Sequence, residues 1–198
     1  MRVADCSGGI FNADVSQPSE VQRMVEQIVA EYGRIDVLVN NAGVILRPGN
    51  WDQQSDEDMA RTIDVNLKGQ LNCIRAIAPI MQNNKSGRIV NIASTNGQTG
   101  TPAILAYSAA KAGVINATLA MAKALANDGV TVNTVSPGVF DTDMTHDASE
   151  ELVKWTIDNT PLGRLGEPRE IGEAVKFLAE SDFITGHVLV VDGGFSLK

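Results

Sequence analysis

Short, unbroken apolar runs alternate with segments of helical periodicity from one end of this chain to the other, and nothing else in it constrains the fold as tightly. Ile10–Ala13 is an apolar run ending at Asp14. Val21, Met24, Val25, Ile28, Val29 and Tyr32 then recur at three-and-four spacing, the mark of an amphipathic helix, with Ser16 and Pro18 suited to its start and Gly33 to its stop. Ile35–Val39 is rich in β-branched residues and predicts a buried strand. A single long helix is expected next, opened by the capping-box-like Ser55-Asp56-Glu57-Asp58 and given an apolar face by Met59, Ile63, Leu67, Leu71, Ile74 and Met81. Ile89–Ala93 predicts another strand, residues 94–102 a Gly/Thr-rich loop, and Ala103–Asn127 a helix with ten alanines closed by Asp128-Gly129. Strand Val130–Val135, an irregular polar stretch to about Thr145, helices near 149–158 and 168–180, and strand His187–Val191 complete the series.

Strands that alternate with helices and carry apolar residues on both faces belong to a parallel sheet covered on two sides. The chain has no linker, low-complexity tract or internal repeat, and 198 residues fit one domain. We therefore expect one doubly wound α/β domain. Lys and Arg number 16 against 24 Asp and Glu, a net charge of −8, so the basic footprint of a nucleic-acid binder is missing. Two cysteines, Cys6 and Cys73, form neither a disulfide framework nor a four-ligand zinc site. The histidines, His146 and His187, have no metal-spaced partner, and no metal site is expected. No basic-then-apolar leader opens the chain, and no membrane span is read in it. The expectation is a soluble, cytoplasmic protein.

In sheets of this kind ligands sit at the carboxyl ends of the strands. Those ends carry Asp14-Val15, Asn40-Asn41-Ala42-Gly43, Ser94, Ser136-Pro137-Gly138 and Asp192-Gly193-Gly194, a rim of small residues, amides and hydroxyls. Tyr107 and Lys111 lie four apart in the alanine-rich helix and so share one face. A cation beside a phenol favours the phenolate, which makes Tyr107 a candidate proton donor or acceptor. Ser94 follows a strand thirteen residues earlier, where its hydroxyl meets the same ligand or merely serves a turn. Asn66 is a poor helix former placed in mid-helix: it faces solvent, or it turns inward to hold water or backbone behind the site.

Taken in order and at their intervals, Asn40-Asn41-Ala42-Gly43, Asn66, Ser94, Tyr107-x-x-x-Lys111, Pro137-Gly138, Thr142 and Asp192-Gly193-Gly194 resemble the short-chain dehydrogenase/reductase family. The closest likeness is to its 3-oxoacyl-acyl-carrier-protein reductase and glucose dehydrogenase-like branch, and it runs from about residue 8 to the C-terminus. It implies a Rossmann-like, three-layer α/β/α fold and reversible hydride transfer between NAD or NADP and a carbonyl or secondary alcohol. By the same resemblance Tyr107 is the general acid/base, Lys111 holds the nicotinamide ribose and lowers the Tyr107 pKa, Ser94 binds the substrate oxygen, and Asn66 anchors a water relay. Asp14 and Val15 would contact the adenine, and Asn41, Ala42 and Gly43 the adenosine ribose side. Pro137, Gly138, Phe140 and Thr142 would embrace the nicotinamide. The segment from Thr142 to about Gly166 would be a substrate lid, with Met144, Trp155 and Leu162 facing substrate or packing the lid. Helices near 56–83 and 103–127 would join subunits of a homodimer or homotetramer.

The family begins with a strand, a glycine-rich turn and a helix that receives the pyrophosphate, and then a second strand. This sequence shows neither strand, and Ser7-Gly8-Gly9 reads as a tight entry turn. An N-terminally truncated domain is therefore expected, lacking roughly 50 residues where one βαβ unit takes ~30, from a fragment or a misassigned start. Ile35–Val39 would be left as a bare edge. Either Ile10–Ala13 slides in beside it, or another subunit pairs with it. The alternative function is then a non-catalytic relative that oligomerises without binding dinucleotide.

Overall fold

The computed structural model describes residues 8–46, 49–145 and 148–197; Cys6, Ser7 and His146 lie outside them. The strand runs rich in Val and Ile pair in parallel, in chain order: β1 (Val37–Asn40), β2 (Gly87–Ile92), β3 (Val130–Pro137) and β4 (Val188–Val191). The register sets Val39 beside Val90, Ile89 beside Val132 and Val135 beside Leu189. Alternation then sends Ile89, Val130 and Val132 to one face and Val90, Ile92 and Val135 to the other.

Helices cover both faces. α1 (Pro18–Tyr32) precedes β1, and its Val21 and Val25 enter the larger core. Between β1 and β2 run α2 (Asp56–Ile63), a π-helical segment (Asp64–Gly69) and α3 (Gln70–Asn83). α3 contributes Cys73, Ile74, Ile77, Ala78 and Met81 to that core, and α5 contributes Ala122 and Leu125. The short α4 (Asn96–Thr99) and the long α5 (Leu105–Leu125) join β2 to β3. α6 (Glu150–Asp158) and α7 (Pro168–Glu180) lead to β4, and Leu178 of α7 seals the opposite face. Each fully buried aliphatic side chain contributes about 1.5–3 kcal/mol.

The chain departs from the expected pattern in four places, the smallest being the single turn of α4 inside the expected loop 94–102. The long helix is continuous but changes to π geometry for one stretch; of its expected face Ile74 and Met81 are buried, joined by Cys73 and Ile77, while Met59, Ile63, Leu67 and Leu71 stay half-buried. The stretch Pro102–Asp128, with a mean hydropathy of 1.3, is long and apolar enough to cross a membrane by composition; here it is the core helix, 44% of that window buried. Ile10–Ala13 forms no strand, and β1 remains an edge among the described residues. A strand needs a partner's backbone; this segment instead sits on α1, where Gly9 N donates to Tyr32 Oη (2.8 Å) and Phe11 meets the Tyr32 ring edge-on. Ile10 is 92% exposed, and Val37 and Val39 remain 43% and 42% exposed.

A buried polar chain crosses the larger core. Asn40 Nδ2 donates to Asn91 Oδ1 (2.8 Å), and Asn91 Nδ2 to Thr118 Oγ1 (2.9 Å). Thr118 spends its one proton on Val114 O (2.9 Å), so its 2.6 Å contact with Thr134 Oγ1 has Thr134 donating. β1, β2, β3 and α5 are thereby tied at one level. Replacing Asn91 with Leu strips partners from two buried groups and should cost about 3 kcal/mol of stability in urea unfolding. A loss under about 0.5 kcal/mol would show the chain to be idle.

Candidate active site

The strand ends place their polar residues together as the topology requires. After β2 the backbone continues alongside β3: Ala93 N donates to Val135 O (2.8 Å) and Thr95 N to Pro137 O (2.9 Å). Ser94 is held between those two bonds, buried, accepting a hydrogen bond from Asn96 N (3.2 Å). α5 begins just beyond, where Ala106 N donates to Gln54 Oε1 (3.3 Å) and Ser108 Oγ accepts from Thr101 N (3.2 Å), tying the first turn to the loops on either side. Tyr107 and Lys111 stand on its inner face, both buried.

The Ser94 side chain lies close enough to the Tyr107 hydroxyl to favour its ionised form. Lys111 Nζ lies 5.5 Å from the Tyr107 ring centroid and donates to Ile92 O at 2.8 Å. Burial pushes the Tyr107 phenol up from its ordinary value, and the Ser94 side chain only works against that rise. This reverses the expected lowering by the neighbouring cation. The ammonium is directed at a backbone carbonyl, and desolvation outweighs it. Burial also pulls Lys111 down, to about 8.

Asn66 is completely buried, turned inward onto backbone. Its Nδ2 donates to Val44 O (2.8 Å) and Thr62 O (2.9 Å), while Oδ1 accepts from Val44 N (3.1 Å). The bond to Thr62 O takes the carbonyl one turn back, which accounts for the π geometry at this point. The amide thus clamps the loop after β1. A Cβ on Gly43 would lie 2.8 Å from Asn66 Oδ1 and 3.7 Å from Lys111 Nζ, so only glycine leaves that junction open.

Two groups of residues stand either side of this centre. Asp14, Val15 and Ala42 line a slot with Ala13, Val44, Arg61 and Val65. Val15 is fixed there by Asn72 Nδ2 donating to its carbonyl (3.0 Å) and by contact with Gly69, where a Cβ would come within 2.6 Å. Asn41 is exposed at the same rim without lining the slot. Beyond β3, Gly138 N donates to Val191 O (2.9 Å), and the bare Cα of Gly138 admits Asp192. Phe140 is buried, its ring under Gly166, so it braces the loop from within. Thr142 N donates to Thr145 Oγ1 (3.1 Å), and that hydroxyl curls the segment by contacts with Phe140 O and Thr142 O. Of the lid residues, Met144 and Leu162 are exposed, and Trp155 packs edge-on against Phe195 at 5.9 Å. Gly97 was missed by the sequence reading. A Cβ there would sit 2.7 Å from the Lys111 backbone, so its absence lets the Ser94 loop close on α5.

A family profile described as enoyl-(acyl carrier protein) reductase matches residues 2–196. The chain is 42% identical over 183 residues to the 3-oxoacyl-[acyl-carrier-protein] reductase FabG of Thermotoga maritima, covering 91% of this chain and 74% of that protein. This chain belongs to the short-chain dehydrogenase/reductase family. Among other members of that family, the Thauera aromatica (2S)-[(R)-hydroxy(phenyl)methyl]succinyl-CoA dehydrogenase subunit BbsD is 45% identical over 190 residues, 93% of this chain and 75% of its own. A gluconate 5-dehydrogenase of Burkholderia cenocepacia, solved with NADP and tartrate, superposes with a TM-score of 0.90 at 34% identity, over 94% of this chain and 74% of that one. ElxO with NADP bound superposes equally, 0.90 at 33%, over 96% and 79%. The short-chain dehydrogenase/reductase family is one of nicotinamide-dependent oxidoreductases, and the parallel sheet with helices on both sides is its Rossmann-like fold.

The low value at Lys111 has a thermodynamic consequence. Between pH 8 and 10.5 the unfolded lysine binds a proton that the folded one has released, so stability rises with pH across that window. The cost of burying the ammonium is fully present below pH 8, on the order of 3 kcal/mol. Lys111→Met should therefore stabilise the chain at pH 7 and flatten its urea midpoint between pH 8 and 10. Ile92 O keeps a donor in that variant, Gln70 Nε2 at 3.1 Å. An unchanged pH slope would refute the assignment.

Proposed function

We propose that this chain catalyses reversible hydride transfer between NAD(P)(H) and a small carbonyl or secondary-alcohol substrate in the cytoplasm, with Tyr107 as general acid in reduction and general base in oxidation. The observation that carries the reading is the burial of Ser94, Tyr107 and Lys111 together, with the Lys111 ammonium 5.5 Å from the Tyr107 ring centroid. A phenol pushed up by burial is fully protonated at neutral pH, the form that reduction needs. As the carbonyl carbon is reduced, Tyr107 gives its proton to the oxygen, and Ser94 donates a hydrogen bond to the same oxygen. Lys111, brought near neutrality by burial, replaces the lost proton from the side where Asn66 keeps an Oδ1 lone pair towards Gly43.

The residues present suit the two ends of the dinucleotide. The slot of Asp14, Val15 and Ala42 is shaped for adenine, with Asn41 and Gly43 beside it for the adenosine ribose. Pro137, Gly138, Phe140 and Thr142 frame the other end. The Lys111 ammonium, which gives one proton to Ile92 O, has two more to offer the ribose hydroxyls. A bound nicotinamide supplies the hydride. The glycine-rich turn expected for the pyrophosphate is not among the described residues. The substrate class follows from the relatives: FabG is named for 3-oxoacyl thioesters and BbsD for a hydroxyacyl-CoA, so a 3-oxoacyl thioester is the first substrate to try.

A second reading, a relative that associates without binding dinucleotide, is supported by the bare β1 edge with Val37 and Val39 exposed. Both readings expect a homodimer or homotetramer, for which the outward face of α5, with Leu105, Ala109, Ala112 and Leu119, permits close helix approach. Calorimetric titration with NADH and NADPH separates them. Micromolar binding, with thioester reduction that Tyr107→Phe abolishes while circular dichroism is unchanged, is the expected result. Absence of binding up to millimolar cofactor would leave the second reading, and substantial turnover in Tyr107→Phe would refute the assigned acid.

A further inference from the structure

The slot beside β1 has apolar walls, Ala13, Val15, Ala42, Val44 and Val65, and one end closed by charge. At that end Asp14 Oδ1 accepts hydrogen bonds from Ser16 N (2.9 Å) and Ser16 Oγ (2.7 Å), while Oδ2 accepts from Arg61 Nη1 (3.1 Å). The same Nη1 donates to Ser16 Oγ at 2.9 Å. A carboxylate offers about four lone pairs. Three are engaged, and one on Oδ2 is left.

We propose that Arg61 is a positioning residue for the nucleobase: its guanidinium locks the Asp14 carboxylate so that a single acceptor lone pair serves the slot, which selects an amino-purine over the corresponding oxo-purine. The inference rests on the dinucleotide reading above and goes beyond it by naming what reads the base. An exocyclic amine donates to that lone pair. A carbonyl at the same ring position would set oxygen against oxygen, an unpaired acceptor contact in a partly desolvated slot.

Direction is what Arg61 supplies. The pair is exposed, 47% at Arg61 and 36% at Asp14, so its contribution to folding is small. Arg61 reaches Asp14 from the last turn of α2, whose register is set where Ser55 Oγ accepts from Asp58 N. Glu20 stands on the other side, its Oε2 accepting from Asp14 N at 2.8 Å. Without Arg61, Oδ2 of Asp14 would lose the donor that fixes it, with the Glu20 carboxylate held on the Asp14 backbone beside it. Hydrogen bonds from Ser16, and then Arg61, hold the Asp14 carboxyl below its ordinary value, so the acceptor is ionised at neutral pH.

The test is calorimetric titration of the full chain with adenosine and inosine monophosphates, then with NADPH and its hypoxanthine counterpart. Wild type should favour the adenine compound roughly tenfold, and Arg61→Met should bring that ratio to about two or less. Ser16→Ala should lower it part-way, and Arg61→Lys should restore it part-way. Melting temperatures should be unchanged, because Arg61 is exposed. A ratio unaltered in Arg61→Met overturns the proposal even where NADPH turnover stands, and so does a wild type that binds neither mononucleotide. Mononucleotide discrimination that depends on Arg61, without NADPH binding, sustains the proposal and removes the dinucleotide reading instead.

Discussion

The buried chain from Asn40 through Asn91 and Thr118 to Thr134 sets the height of α5 over the sheet, and the catalytic geometry depends on that height. Tyr107 lies about three turns before Thr118 on the same helix. If Thr118 sat one turn higher, the phenol would miss Ser94 altogether. Apolar packing alone tolerates such sliding, because burial is non-directional. Hydrogen bonds with one proton apiece do not.

A second constraint comes from the helix that follows β1. Within three turns it supplies Arg61 and Val65 to the slot, Asn66 to the loop carrying Gly43, and the bare Cα of Gly69 to Val15. One rigid element thus carries both the wall of the nucleobase slot and the clamp behind the reacting groups. The two ends of the site cannot drift apart without breaking that helix.

Much of this was legible in the residues. Pro168–Glu180 and Pro18–Tyr32 are bounded as expected because proline fits a first turn and Gly33 takes the left-handed φ of 78° that ends the second. Tyr107 and Lys111 four apart, with Ser94 after a strand, meet as their spacing demanded. Ile10–Ala13 shows the limit: its composition suits a strand, but pairing belongs to two segments, and this one lies against α1 rather than along the open edge of β1. The roles of Gly43 and Gly97 were hidden because each depends on atoms distant in sequence. Arg61 was invisible for a similar reason, being 47 residues from the carboxylate it holds. The Tyr107 phenol was misjudged in sign because a neighbouring cation is visible in a sequence and desolvation is not.

The π segment also fixes how long this part of the chain must be. An α-helix turns about 100° per residue, and the six residues Asp64–Gly69 accommodate one more residue than regular winding would. The wide turn takes up that residue, so Arg61 before it and Ile74, Ile77 and Met81 after it keep the phase that a helix one residue shorter would give them. Losing a residue at the bulge would thus leave the core side of α3 in place and fall instead on Asn66, whose bond to Thr62 O belongs to the wide turn. The extra residue serves the site and not the core.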